Sequence, residues 1–221
     1  MKPYVVAGLL VLFSLIFCIA AALAGGDDPY YHFDEYRIAT WFNASQILLC
    51  APVGVAIFRV RRRQEAGRDA FFWLTVAVGS LYLSLDEILS FHDDNGLLIS
   101  TYKKWFNIEL PYNAIETKLF YLSYSDFILI GYGLAVVLIT IAFRRELVRC
   151  LHSKWFFILG TLLLVASVTL DFNLLMKLHH SLDLRGYNRP TLHVIEETFK
   201  TVGFSCFLAG LVHYYLTIMK R

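Results

Sequence analysis

The residues able to do chemistry in this chain are carboxylates and imidazoles set into otherwise apolar stretches. Asp86 and Glu87 lie in one stretch, with His92, Asp93 and Asp94 a turn or two beyond them. Asp126 and Asp171 each interrupt another, and a further one begins His193-Val-Ile-Glu196-Glu197-Thr-Phe-Lys200. Neutral imidazoles and carboxylates are the usual protein ligands of zinc or iron, and a catalytic zinc keeps three of them plus an open water position. His193 and Glu197 are four apart, one helical turn, so both can grip one ion. His92, Asp171 and either His179 or His180 could complete the shell. This spacing makes His92, His193 and Glu197 the candidate metal ligands and a divalent metal, zinc first, the candidate cofactor. Such an ion could polarise water for attack on an amide or ester of a lipid-like substrate, with Glu87 or Asp171 as catalytic carboxylate and general base. Asn43, Gln46, Asp86, Asp126, Glu196 and Lys200 are then expected to line the pocket. His92 lies about 140° round the helix from Glu87, so a shared ion requires that helix end to unwind.

Two other readings use the same residues. Glu196 or Glu197 can pair with Lys200, and Asp171 with a serine or asparagine across a bundle, as polar contacts that hold membrane helices together. The chain is then a non-catalytic subunit or an assembly protein with a membrane-protein partner. Ion or proton transport is the third reading, because intramembrane carboxylates and histidines form relays. A relay should continue across the bilayer, and neither a matching acidic ladder nor an inverted repeat is evident.

The elements that must position these groups follow from composition. Of 221 residues, 57% are apolar and 17% charged, with a mean hydropathy of +0.56; soluble domains have about 45–50% and about 25%. An ordinary soluble enzyme and a disordered chain are both excluded. A net charge of +2, without basic runs that alternate with stacking aromatics, gives no footprint for nucleic acid. A helical span needs roughly 20 apolar residues. The sequence predicts an all-α bundle, a single membrane domain over 1–221, with six spans at about 4–24, 37–60, 70–91, 119–143, 155–178 and 192–216. Counted from the external ends, Asn43, Glu87, Asp126, Asp171 and Glu197 share a depth of roughly 5–12 Å below the boundary. Each ionised group there costs roughly 2.5–3.5 kcal/mol unless it meets a partner or water. A shared depth on five helices predicts one pocket that opens outward.

Charge sets the orientation. Twelve of the twenty basic residues fall at the termini and in the loops after spans two and four, with only Glu65, Asp69 and Glu146 as acids among them. The positive-inside rule puts both termini in the cytoplasm. The predicted location is a bacterial inner membrane with the pocket on the extracytoplasmic side. Lys2, an apolar run and Ala22-Leu23-Ala24 also fit a cleavable signal peptide; the near-spanning length of the run favours an uncleaved anchor at the bundle periphery. Cys18, Cys50, Cys150 and Cys206 lack the spacing of a disulfide framework or thiolate zinc site. Residues 96–110 carry Leu98, Tyr102, Trp105 and Phe106 at helical spacing, which predicts an external interfacial helix.

Ser84-Leu-Asp86-Glu87-Ile-Leu-Ser-Phe-His92-Asp93, followed downstream by Ile195-Glu196-Glu197-Thr-Phe-Lys200, resembles a pattern in bacterial polytopic membrane proteins. That resemblance covers most of the spans and brings no assigned activity. More weakly, the chain is similar to the CREST membrane hydrolases, which include alkaline ceramidases. The similarity implies a zinc site matched by His92, Asp171 and His193. The sequence departs from the family where Ile88 stands in place of a serine and Glu197 in place of a second histidine, and it has six expected spans against seven.

Overall fold

The computed structural model describes residues 2–26, 31–33, 37–64, 67–89, 124–150, 153–171 and 189–220. Among the described residues the chain is helical, with no strand. In chain order the helices are α1 (Pro3–Ala24), α2 (Ile38–Arg63), α3 (Phe71–Leu89), α4 (Tyr124–Ala142), α5 (Arg144–Arg149), α6 (Lys154–Asp171) and α7 (Arg189–Ile218), with a 3-10 turn at Gly67–Ala70 before α3. Pro3 opens α1, where a missing N–H costs nothing.

Four helical segments, Pro3–Ala24, Ile38–Arg63, Gly67–Leu89 and His193–Ile218, are long and apolar enough to cross a bilayer; Lys154–Leu170 is apolar but shorter. Helices α4 and α6 lie within the stretches expected for the other two spans, about 119–143 and 155–178, and are not among these four. The outer ends of those stretches, 119–123 and 172–178, lie outside the described residues. So does the expected interfacial helix at 96–110.

Helix α7 is the axis of the bundle. It packs against α1, α2 and α6, while α2 also packs against α3. Across its apolar stretch 61% of α7 is buried, against 22% for α1, which stands at the edge as its composition implies. Leu12, Phe13, Ile16 and Ile19 of α1 and Leu134, Val136 and Leu138 of α4 face outward. Such all-round hydrophobicity suits a lipid environment.

Without a hydrophobic drive between helices in lipid, close backbone approach and polar contacts decide the packing. A Cβ on Gly160 of α6 would sit 3.0 Å from the Gly203 carbonyl of α7, so these helices meet backbone to backbone. Gly54 brings α2 equally close to α3, where a Cβ would lie 3.0 Å from the Trp73 carbonyl. At one end Trp73 stacks on Tyr214, their ring centroids 4.9 Å apart, amid Ile57, Phe72, Leu211 and Ile218.

Candidate functional site

The expected polar layer exists in its central part. Asn43 of α2, Glu87 of α3, and Glu197, Lys200 and Thr201 of α7 converge between three helices. All but Lys200 are buried, and Asn43 and Thr201 completely so. Lys200 Nζ lies 2.9 Å from Glu87 Oε1 and 3.5 Å from Glu197 Oε1. The Asn43 amide nitrogen reaches both carboxylates, donating to Glu87 Oε1 and Glu197 Oε2 at 3.4 Å each. Its oxygen accepts from Thr201 Oγ1 at 2.7 Å. These partners fix the orientation of the amide, because carboxylates only accept and the threonine hydroxyl is free to donate. Two carboxylates therefore face a single ammonium, linked by an amide that leaves neither of its ends idle.

One turn deeper the layer continues with neutral groups. Gln46 Nε2 donates to Ser14 Oγ of α1 at 2.9 Å, and Ser14 pairs with Ser205 of α7. Gln46 Oε1 is the one buried side-chain oxygen or nitrogen without a hydrogen-bond partner among the described residues. Ser84 of α3 donates to the Ala44 carbonyl of α2 at 2.9 Å, which ties those helices at the same height.

Of the remaining candidates, His193, Glu196 and Asp86 make other contacts. His193 Nδ1 contacts Glu196 Oε2 at 3.0 Å, one turn further toward the start of α7. Glu197, about 100° further round the helix than Glu196, is engaged by Lys200 and Asn43 instead. Asp86, buried beside Glu87, turns for the same reason toward Tyr132 of α4. Asp126 and Asp171 fall within α4 and α6, but their side chains lie outside the described residues. His92, with Asp93, Asp94, His179 and His180, also lies outside them. Among the described residues, no group of three or more His, Cys, Asp and Glu side chains is placed to hold a metal ion.

A second polar cluster, absent from the sequence reading, occupies the opposite end of the bundle. Glu146 of α5 is completely buried. Its Oε1 accepts from Arg61 Nε at 2.7 Å, Trp73 Nε1 at 2.9 Å and Tyr214 OH at 3.2 Å. Its Oε2 accepts from Arg61 Nη2 at 3.0 Å and Arg149 Nη1 at 3.1 Å. Burial alone would raise this carboxyl, but the bonds from Arg61, Trp73 and Arg149 outweigh it and hold Glu146 below the ordinary carboxylate range. Cys150 beside it is pushed up to about 12 by burial, an unreactive thiol. Eighteen residues of α2 separate Asn43 from Arg61, roughly 27 Å of helix and close to the thickness of a hydrocarbon core.

The only sequence cue to this hub is one acid between arginines in Arg144-Arg145-Glu146. Ser153 Oγ also meets His213 Nδ1 at 2.8 Å near this end, with the serine completely buried at the start of α6.

A family described as a domain of unknown function, DUF8692, matches residues 4–214, nearly the whole chain, and the chain belongs to it. No curated protein and no solved structure matches the chain.

Proposed function

We propose that this DUF8692 chain is a six-span membrane protein with cytoplasmic termini, and that its polar centre joins helices, and through them a membrane-protein partner, without turning over a substrate. The observation that carries this reading is the Lys200 ammonium, 2.9 Å from Glu87. It supplies from within the layer the cation that a metal would otherwise provide. Asn43 and Thr201 use their remaining polar capacity on the same cluster. Sidedness rests on the arginines at the far end of α2 and around α5, which make that end cytoplasmic by the positive-inside rule. The centre then lies toward the extracytoplasmic face, and the host membrane is a bacterial inner membrane.

One observation favours a second reading. Glu87, Glu197, Glu196 and the nearby Asp86 outnumber the cations Lys200 and His193 in the described part of the layer. A divalent ion, zinc first, would offset that surplus if residues 92 and 171 complete its shell. Glu87 would then act as general base on a lipid-like ester or amide.

Elemental analysis of protein purified without added metal separates the two. The helix-joining reading expects no stoichiometric metal. It also expects Glu87→Gln and Lys200→Met each to lower thermal stability, with part of the loss recovered in the double variant. Zinc at one per chain, lost in His193→Ala and in Glu197→Gln, would replace it with the hydrolase.

A further inference from the structure

At the Glu146 end, the described acids are already engaged. Glu146 is held by Arg61 and Arg149, and Asp69 accepts from Arg149 Nη1 at 3.2 Å. Six further arginines, Arg59, Arg62, Arg63, Arg68, Arg144 and Arg145, remain exposed around them. Helical phase explains the division on α2. Arg59, Arg62 and Arg63 stand at i, i+3 and i+4 and share one outward face, whereas Arg61 lies about 200° from Arg59 and points inward. The Arg61–Glu146 and Arg149–Asp69 contacts draw the end of α2, the turn before α3, and α5 together, so that cations from three segments crowd one rim.

Aromatic groups flank the rim. The Arg62 guanidinium lies 5.5 Å from the centre of the Phe71 ring, and Lys154 Nζ lies 5.0 Å from that of Trp155. Trp155 is 69% exposed, and Val148 of α5 66%. Exposed arginines beside outward-facing aromatics match the level where a hydrocarbon core gives way to headgroups. Basic groups in that position attract anionic lipid.

We infer that this rim is a binding surface for anionic phospholipid headgroups, with Arg59, Arg62 and Arg63 of α2 as its main face and Arg144 and Arg145 of α5 beside it. The inference rests on the chain spanning a membrane, but not on what the polar centre at the other end does. The test is binding of phosphatidylglycerol or phosphatidylcholine, doped into neutral detergent micelles, to the purified full chain. Phosphatidylglycerol is expected to bind in a salt-sensitive way and phosphatidylcholine not to compete. Each arginine removed should weaken binding roughly 5-fold, and the triple variant Arg59→Gln, Arg62→Gln, Arg63→Gln roughly 100-fold. Should the triple variant fail to fold, Arg144→Gln with Arg145→Gln carries the same test on α5, at roughly 25-fold. Equal binding of the two lipids, equal competition by inorganic phosphate, or unchanged affinity in the variants would overturn the inference. A chain that stays monodisperse without any detergent would fail the membrane reading itself, a separately visible result.

Discussion

Arg61 grips Glu146 in a fork, Nε to Oε1 at 2.7 Å and Nη2 to Oε2 at 3.0 Å, across 85 residues of sequence. Planar guanidinium and carboxylate match in this geometry, which lysine cannot reproduce. The fork attaches the short helix α5 to α2, while Trp73 and Tyr214 bring α3 and α7 to the same carboxylate. A buried ion pair of this kind adds little net stability over an apolar substitute, yet breaking it from one side leaves a charge stranded.

Glu146→Ala is therefore expected to destabilise the protein by about 3–5 kcal/mol, because Arg61 loses its partner and two aromatic donors lose their acceptor. Thermal unfolding in detergent measures the effect. Arg61→Met in the Glu146→Leu background should recover much of the loss. Equal stability of Glu146→Ala and the wild type would show that the hub holds nothing together.

The same carboxylate sets a pH response. Its folded value is lowered, so its contribution is fully present above the ordinary glutamate range, near 4.3, and is lost as pH falls through the folded value. Glu146→Gln cannot titrate. The gap in melting temperature between wild type and Glu146→Gln should hold steady from pH 7 to pH 5 and narrow below that. A gap that widens on acidification would contradict the assignment.

What sequence could convey is divided between these two ends. Asn43, Glu87, Glu197 and Lys200 were legible as one layer because charge in an apolar run is costly, so each announces a partner. Which of Glu196 and Glu197 pairs with Lys200 was left open, because adjacent acids differ only by a helical phase, and packing decides which faces inward. A glycine contact such as that of Gly160 with Gly203 takes two helices, and each stretch of sequence shows only one of them. Glu146 stayed hidden because an acid among loop arginines reads as solvated. Only the return of α5 onto Trp73 and Tyr214, distant in sequence, makes it a buried acceptor.

The hydrogen bond from Thr201 to Asn43 offers a cleaner measure of the polar centre than any charge reversal. Thr201→Val keeps the shape and removes the donor, leaving Asn43 Oδ1 buried without its partner. The expected cost is about 0.6–2 kcal/mol, the range for interhelical polar contacts in membranes. A double-mutant cycle with Asn43→Leu should assign most of that cost to the pair. Additive effects would place Thr201 outside the network.

Helix approach at Gly54 supplies the last prediction. A Cβ there lies 3.0 Å from the Trp73 carbonyl and 3.2 Å from Ala77 Cβ, and neither can swing aside as a flexible side-chain tip could. Gly54→Val must separate α2 from α3, at about 1–3 kcal/mol for the overpacking. Because Trp73 belongs to the Glu146 hub, the shift should also loosen that cluster. Trp73 fluorescence would then change in step with stability, once the other three tryptophans, Trp41, Trp105 and Trp155, are replaced by phenylalanine. Gly79 lies on α3 with nothing within 4 Å of an added Cβ. Gly79→Ala is the control, expected to lose no stability and to gain up to about 1 kcal/mol from alanine's better helix propensity. Equal losses at the two glycines would mean that the α2–α3 spacing is not what Gly54 sets.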